Sequence, residues 1–341
     1  MTLRGSYRTI AAGLAFLAFA AHALVWRAGV AQLRLGVEAW VDDQRAAGLD
    51  VRHGPLRLGG YPFVLTARAP DVTIRDGTLG DWSTDEVSVT LLPWAPGALT
   101  LRAPKPQRLA LVDEAAWTLD FPKAVARLAG DDAGAWSMQI DTGPGAAAEA
   151  RPRAARSIRT DGARLRVDVA DPTTLVAEAA SDGFSMIVGE GGRRDDQAGG
   201  RQLSGTARVR LSGLDALALS PAAWRATGGT LRVESVALRT EDAEADLRGD
   251  VSIDASGRAR GDLTVKLTNP GALVGALADA GAVDDAQAQT LTAALTLAAI
   301  AGGGVVNAPF TFQDGRTRLA GVDLGPAPML LAEQPPPDAS F

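Results

Sequence analysis

Apolar and polar residues alternate through Asp246–Thr268, with Leu247, Val251, Leu263, Val265 and Leu267 on one parity and charged or hydroxyl residues on the other. A period of two buries one face of a strand and leaves the other in water, so such a chain is confined to sheet. The pattern recurs in Leu49–Arg52, Val72–Arg75, Glu86–Leu91, Leu99–Leu101, Arg108–Leu111, Trp117–Leu119, Arg164–Val169, Arg208–Leu211 and Thr230–Glu234. Asp76-Gly77, Asp161-Gly162, Asp182-Gly183, Ser256-Gly257 and Asp314-Gly315 supply tight-turn chemistry between such strands. The expected fold is mainly β (α+β), an extended, curved antiparallel sheet.

Helical spacing replaces alternation in two places. Val30, Leu33, Val37 and Val41 share one face from Val30 to Ala47, and Gly48 ends the run. This predicts an amphipathic helix packed on the sheet. Near 271–300, Asn269 caps a helix with Pro270 at its first position, and Leu291 and Leu295 mark a second helix, closed by Gly302–Gly304.

Ahead of the first helix, Met1–Arg8 carries Arg4 and Arg8 without an acid, and an apolar run follows from Ile10 to Trp26. Residues 1–27 therefore read as an N-terminal transmembrane anchor or a signal peptide. Ala21-His22-Ala23 fits a cleavage site after Ala23, whereas Trp26 and Arg27 suit the interface of an uncleaved helix. Either reading sends residues 28–333 across the membrane as one periplasmic β-rich domain. Within it, 142–156 and 189–202 are rich in Gly, Ala, Pro and charge and read as flexible loops. Residues 334–341, with three consecutive prolines, read as a disordered tail.

Among 341 residues there is no cysteine and only two histidines, His22 and His53. Thiolate chemistry, zinc ribbons and multi-histidine metal sites are excluded, so no cofactor or metal is expected. A net charge of −6 argues against a nucleic-acid partner. His53 lies between strand-like segments with no Gly-x-Ser-x-Gly elbow in the chain, and reads as a strand or turn histidine. The acid pairs Asp42-Asp43, Asp131-Asp132, Asp195-Asp196 and Asp284-Asp285 read as solvated, since neighbours project apart. No catalytic residue is assigned.

The most distinctive local feature is Gly60-Tyr61-Pro62-Phe63. Tyr61 and Phe63 can line the mouth of an apolar groove; equally, Pro62 can turn a strand edge while Phe63 plugs the core and Gly60 supplies a special backbone angle. This motif, with Ala39-Trp40-Val41, Ala46-Ala47-Gly48, Phe312-Gln313-Asp314-Gly315 and Leu324-Gly325-Pro326-Ala327-Pro328, resembles a proteobacterial envelope family, DUF2125, over nearly the whole chain. More loosely, Asp246–Pro270 is similar to strands of AsmA-like and TamB-like envelope proteins, whose sheets form grooves for lipid. The resemblances imply a protein of the Gram-negative cell envelope that binds or passes lipid acyl chains without catalysis. The alternative is an envelope scaffold with a closed core and no ligand.

Overall fold

The computed structural model describes residues 3–76, 80–111, 116–131, 134–150, 154–190, 203–219, 221–254, 256–279 and 285–329. Helix α1 (Leu3–Ala46) opens the chain. Strands β1 (Asp50–Arg52), β2 (Arg57–Gly59), β3 (Leu65–Asp76), β4 (Gly80–Leu92), β5 (Ala95–Arg102) and β6 (Gln107–Leu111) follow. Next come β7 (Ala116–Asp120), β8 (Val125–Gly130), β9 (Trp136–Asp141), β10 (Gly145–Ala150), β11 (Ala154–Asp171), β12 (Thr174–Glu190) and β13 (Leu203–Ser212). Short helices α2 (Leu214–Leu219) and α3 (Pro221–Ala226) precede β14 (Leu231–Arg239), β15 (Glu244–Ile253) and β16 (Ala259–Thr268). Helices α4 (Pro270–Asp279) and α5 (Asp285–Ala301) lead to β17 (Val305–Gln313), β18 (Arg316–Leu319) and β19 (Val322–Pro326).

Among the described residues, nineteen strands lie in one antiparallel sheet. Four consecutive pairs (β1/β2, β5/β6, β7/β8 and β9/β10) are halves of interrupted strands. Strand β4, for example, pairs with β5 through Ser88–Leu92 and with β6 through Gly80–Thr84. Strand β11 likewise pairs with β10 through Ser157–Thr160 and with β9 through Arg164–Val169. Read this way, the sheet is a simple meander of fifteen strand positions, from β1/β2 at one edge to β19 at the other.

The interruptions fall opposite one another and form a transverse crease. It runs through 53–56, the Asp71 irregularity in β3, 103–106, 121–124 and 142–144, then through register shifts at Thr160–Ala163 and Ser181–Phe184. Pro55, Pro70, Pro104, Pro106, Pro122 and Pro144 lie on this line. Proline has no N–H for a ladder, and a bulge leaves a residue unpaired, so the chemistry of the line breaks the ladders where it crosses them. At Gly145 a Cβ would stand 2.2 Å from the Phe121 ring and 2.5 Å from the Asp120 carbonyl oxygen, so no larger residue fits beside the crease.

Three expectations need correction here. Asp161-Gly162 and Asp182-Gly183 are not hairpin turns; Gly162 and Gly183 face each other across β11 and β12, where the extra residues accommodate the crease. Residues 142–156 are not one long loop, because β10 and the start of β11 occupy most of them. Ala147 is buried and the segment is paired on both sides, by β7 and β11, so tertiary pairing overrides its weak strand propensity. Of 189–202, Gly189 and Glu190 end β12 and the remainder lies outside the described residues, as does the tail 334–341. By contrast, Ser256-Gly257 and Asp314-Gly315 do turn their chains, with Gly257, Asp314 and Gly315 at positive φ.

Among the described residues, the helices with substantial contacts to strands, α1, α4 and α5, lie at the two edges of the sheet. Helix α1 lies against β1, β2 and β3, burying Val41 and seating Gly29 on the Leu65 side chain. Its 44 residues merge the expected anchor and amphipathic helix into one element. Among the described residues no helix is long and apolar enough to cross a membrane. At the other end α4 and α5 bury Leu273, Val274, Leu291 and Leu295 against Val265, Leu267, Val306 and Ala308. Helices α2 and α3 had no clear signal; they form around Trp224, 1% exposed, whose Nε1 donates to the Ser212 carbonyl.

Candidate functional site

Register places the alternating apolar residues in rows that cross the whole sheet. One row runs Leu65, Leu91, Leu99, Leu128, Met138, Val167, Ala177, Val209 and Val233 from β3 to β14. It continues through Gly249, Leu263, Phe310 and Leu319 to Val322. The next row on the same face runs Ala67, Val89, Leu101, Ala126, Ile140, Leu165, Ala179, Ala207, Val236, Leu247, Val265 and Ala308. Neither row contains a polar side chain.

Where helices lie on this face the rows are buried, as at Leu65, Ala67, Val265 and Ala308. Between them, from β4 to β14, the substantial contacts of each described strand are with its ladder neighbours. There Val89, Leu91, Leu99, Leu101, Leu128, Met138, Ile140 and Leu165 are half-buried, although Val167 is buried. Among the described residues the central face is thus an apolar surface without a helical layer, framed by α1 and by α4/α5.

The opposite face is a lattice of charge. Asp141 accepts from Arg127 (2.7 Å) and Arg164 (3.0 Å); Glu234 accepts from Arg208 (2.7 Å) and Arg210 (2.8 Å). Arg208 also meets Glu178 at 2.7 Å, and Arg232 meets Asp250 at 2.8 Å. The hydrogen bond from Arg164 holds the Asp141 carboxyl below its ordinary value of 3.8, and that from Arg210 holds Glu234 below 4.5. A carboxyl with a lowered folded-state pKa stabilises the fold above its unfolded pKa and loses that contribution as pH falls through the folded value. The melting temperature is expected to be flat near neutrality and to fall from about pH 5 downward, with high salt flattening the decline. A melting temperature unchanged down to about pH 3 would contradict a role for these pairs.

A polar pocket of about 320 Å³ lies on the crease, lined by Asp71, Ser83, Asp85, Gln107 and Arg108 among others. Half-buried His53 is also at the crease, where its Nδ1 donates to the Gly54 carbonyl. Asp42 and Asp43 are exposed on α1 and Asp131 is exposed in the β8–β9 turn, whereas Asp132, Asp195, Asp196 and Asp284 lie outside the described residues. Among the described residues no group of three or more His, Cys, Asp or Glu is placed to hold a metal ion.

Gly60–Phe63 forms the turn that enters β3 and docks it on α1. Trp26 Nε1 donates to the Val64 carbonyl (3.1 Å), and His22 Nε2 donates to the Pro62 carbonyl (2.9 Å). These two residues, four apart, lie on one side of the helix, with the Trp26 ring edge-on to Tyr61 at 5.2 Å between centroids. Phe63 does not plug the core: it is 67% exposed, because the turn spends its contacts on α1. Gly60 has φ 101°, and a Cβ there would stand 2.4 Å from the Val64 carbonyl oxygen. Gly60→Ala should destabilise the protein by about 1–3 kcal/mol, read as a lower melting temperature. An unchanged melting temperature would show that the turn can relax.

No curated protein and no solved structure matches the chain. A family model does, over residues 26–328, which takes in α1 from Trp26 onward, the Gly60–Phe63 turn and every described strand: the chain belongs to the family described as "Uncharacterized protein conserved in bacteria (DUF2125)".

Proposed function

We propose that this protein holds or passes lipid acyl chains along the apolar face of its sheet, without catalysis. The observation that supports this reading is the pair of wholly apolar rows left half-buried between β4 and β14. A surface with no donor, acceptor or charge across so many strands suits a ligand that offers only methylenes, whose transfer from water is favourable at about 25 cal/mol per Å². The ion-paired reverse face keeps the other side of the sheet in water. In this reading the apolar run Ile10–Trp26 tethers the body to the inner membrane of a Gram-negative envelope, with the sheet in the periplasm. Cleavage after Ala23 would remove His22 and keep Trp26, so half of the docking between α1 and the Gly60–Phe63 turn would survive it.

The test is photo-crosslinking of the full chain in phosphatidylcholine vesicles containing a phospholipid with a diazirine on its acyl chain. Adducts are expected on the apolar-face residues of β5, β8, β9 and β11. Adducts confined to α1 would mean ordinary lipid around a tether, and would sink the proposal in favour of the scaffold.

A further inference from the structure

The strands of the meander finish on two rims, and one of them carries exposed aromatic side chains. On that rim lie the Gly60–Phe63 turn entering β3, the 93–94 turn between β4 and β5, and the connection from β8 to β9, described at Asp131, Gly134 and Ala135. The strands concerned are ladder neighbours in the order β3, β4, β5, β8, β9. Phe63 is 67% exposed, Trp94 67%, Trp136 41%, Tyr61 39% and Leu92 37%. At the ladder spacing of about 4.8 Å, these aromatics span about 20 Å of one rim. Monomeric surfaces rarely expose large aromatics in sequence along one edge without a partner.

The course of α1 says which partner. Arg45 donates to the Val51 carbonyl beside the far half of β3, whereas Trp26 and His22 meet the turn before its first residue. Helix α1 therefore runs along β3 and leaves the sheet at the aromatic rim. From Ala21 back to Leu3 it continues for about 28 Å at 1.5 Å per residue, and this part contains most of the apolar run Ile10–Trp26. Where it leaves, Leu24 (68%) and Val25 (67%) are exposed beside the rim. The three turns, GYPFV, PW and DDAGA, contain no lysine or arginine. Nothing there favours an anionic surface, and aromatic rings with a polar backbone suit the headgroup level of a bilayer.

We infer that this rim sits in the membrane interface, with Phe63, Trp94 and Trp136 inserted at headgroup depth. Trp136 has a second role by position. It shares strand parity with Met138 and Ile140, so it stands on the apolar face where that face reaches the rim. The rim is then the mouth through which an acyl chain moves between the bilayer and the apolar rows. This step rests on the lipid reading above; the placement of the rim rests only on α1 and the turns.

The experiment uses single cysteines, since the native chain has none. Phe63→Cys, Trp94→Cys, Trp136→Cys and, at the opposite end of the sheet, Glu241→Cys are spin-labelled in the full chain and reconstituted in phosphatidylcholine vesicles. Labels at 63, 94 and 136 should be at least about fivefold less accessible than the label at 241 to a water-soluble paramagnetic quencher, and should gain access to dissolved oxygen. High salt should not return the rim labels to water, because the three turns that carry them contain no lysine or arginine. A second measurement leaves the three positions native: dibrominated phosphatidylcholine should quench a tryptophan component that disappears in Trp94→Phe/Trp136→Phe. Equal accessibility at all four positions, a chain that does not associate with the vesicles, or rim labels shielded by a second copy without lipid would each overturn the inference. The two readings fail separately. Rim labels in lipid with no diazirine adducts on the sheet would sink the acyl-chain reading alone. Adducts on the sheet with rim labels in water would sink the mouth alone.

Discussion

Leu128→Glu combined with Met138→Lys is expected to remove at least about nine-tenths of the acyl-chain adducts on the sheet while leaving the protein folded, because 1.4 kcal/mol already makes a factor of ten and an ion pair under hydrocarbon costs more. The two residues face each other directly across β8 and β9, in the middle of the central apolar row. Both are half-buried, so a charged end can reach water when no lipid is present. Opposite signs are chosen because directly opposed strand positions bring side chains into contact, where like charges would repel. The melting temperature should therefore fall only by a few degrees. Two results would defeat the reading. Unfolding of the double variant would mean a closed core, and unchanged adducts would mean that lipid does not lie on this row. Measuring adducts and melting on one preparation separates the two.

Leu291→Ala and Leu295→Ala are expected to be among the most damaging single truncations of the described residues. Leu291 is 0% exposed and Leu295 1%, and both sit beneath α5 in the cluster with Val265, Leu267, Val306 and Ala308. Each should cost about 2–5 kcal/mol, the transfer of the lost methyl groups plus the cavity left behind. Because the two are neighbours on one helix face, the double variant should cost less than their sum. The damage should also be local. Strands β4 to β14 touch mainly their ladder neighbours, as units do in a repeat array, so free energy lost at one end is not shared evenly. Hydrogen exchange should show lost protection in α5 and β17 with β3 to β9 unaffected. Uniform loss along the sheet would show a single cooperative unit instead.

These expectations rest on features of unequal legibility. The alternating segments lie in strands to within a residue at their ends, Asp246–Thr268 forming the β15–β16 hairpin, and the helices near 271–300 form where Asn269, Pro270 and the Leu291–Leu295 spacing put them. The crease was readable in part. Alternation shifts parity between Trp82 and Val87 in β4, between Leu119 and Ala126 across β7/β8, and between Ala179 and Phe184 in β12. Each shift marks an added residue, and prolines sit at several of them. That these irregularities line up is a different matter, because it depends on register between residues far apart. Asp161-Gly162 reads locally as a turn, and only its pairing with β12 turns it into a bulge.

The Gly60–Phe63 turn shows the same division. A special backbone angle at Gly60 followed from its residue type, and φ 101° agrees. The exposure of Phe63 did not follow, since a phenylalanine before a strand is as compatible with a core as with a rim. What decided it was α1 arriving with Trp26 and His22 to satisfy the carbonyls of Val64 and Pro62. By itself the sequence determined which segments are strands, which face of each is apolar and where most helices lie, because side-chain period and turn chemistry are local properties. Only the tertiary structure decided that the strands form one uninterrupted sheet, that their breaks make a single crease, and that its apolar face is capped by helices at the ends and left without them between. Those outcomes are set by register and by what packs on what, which are relations between residues that the order of the chain does not contain.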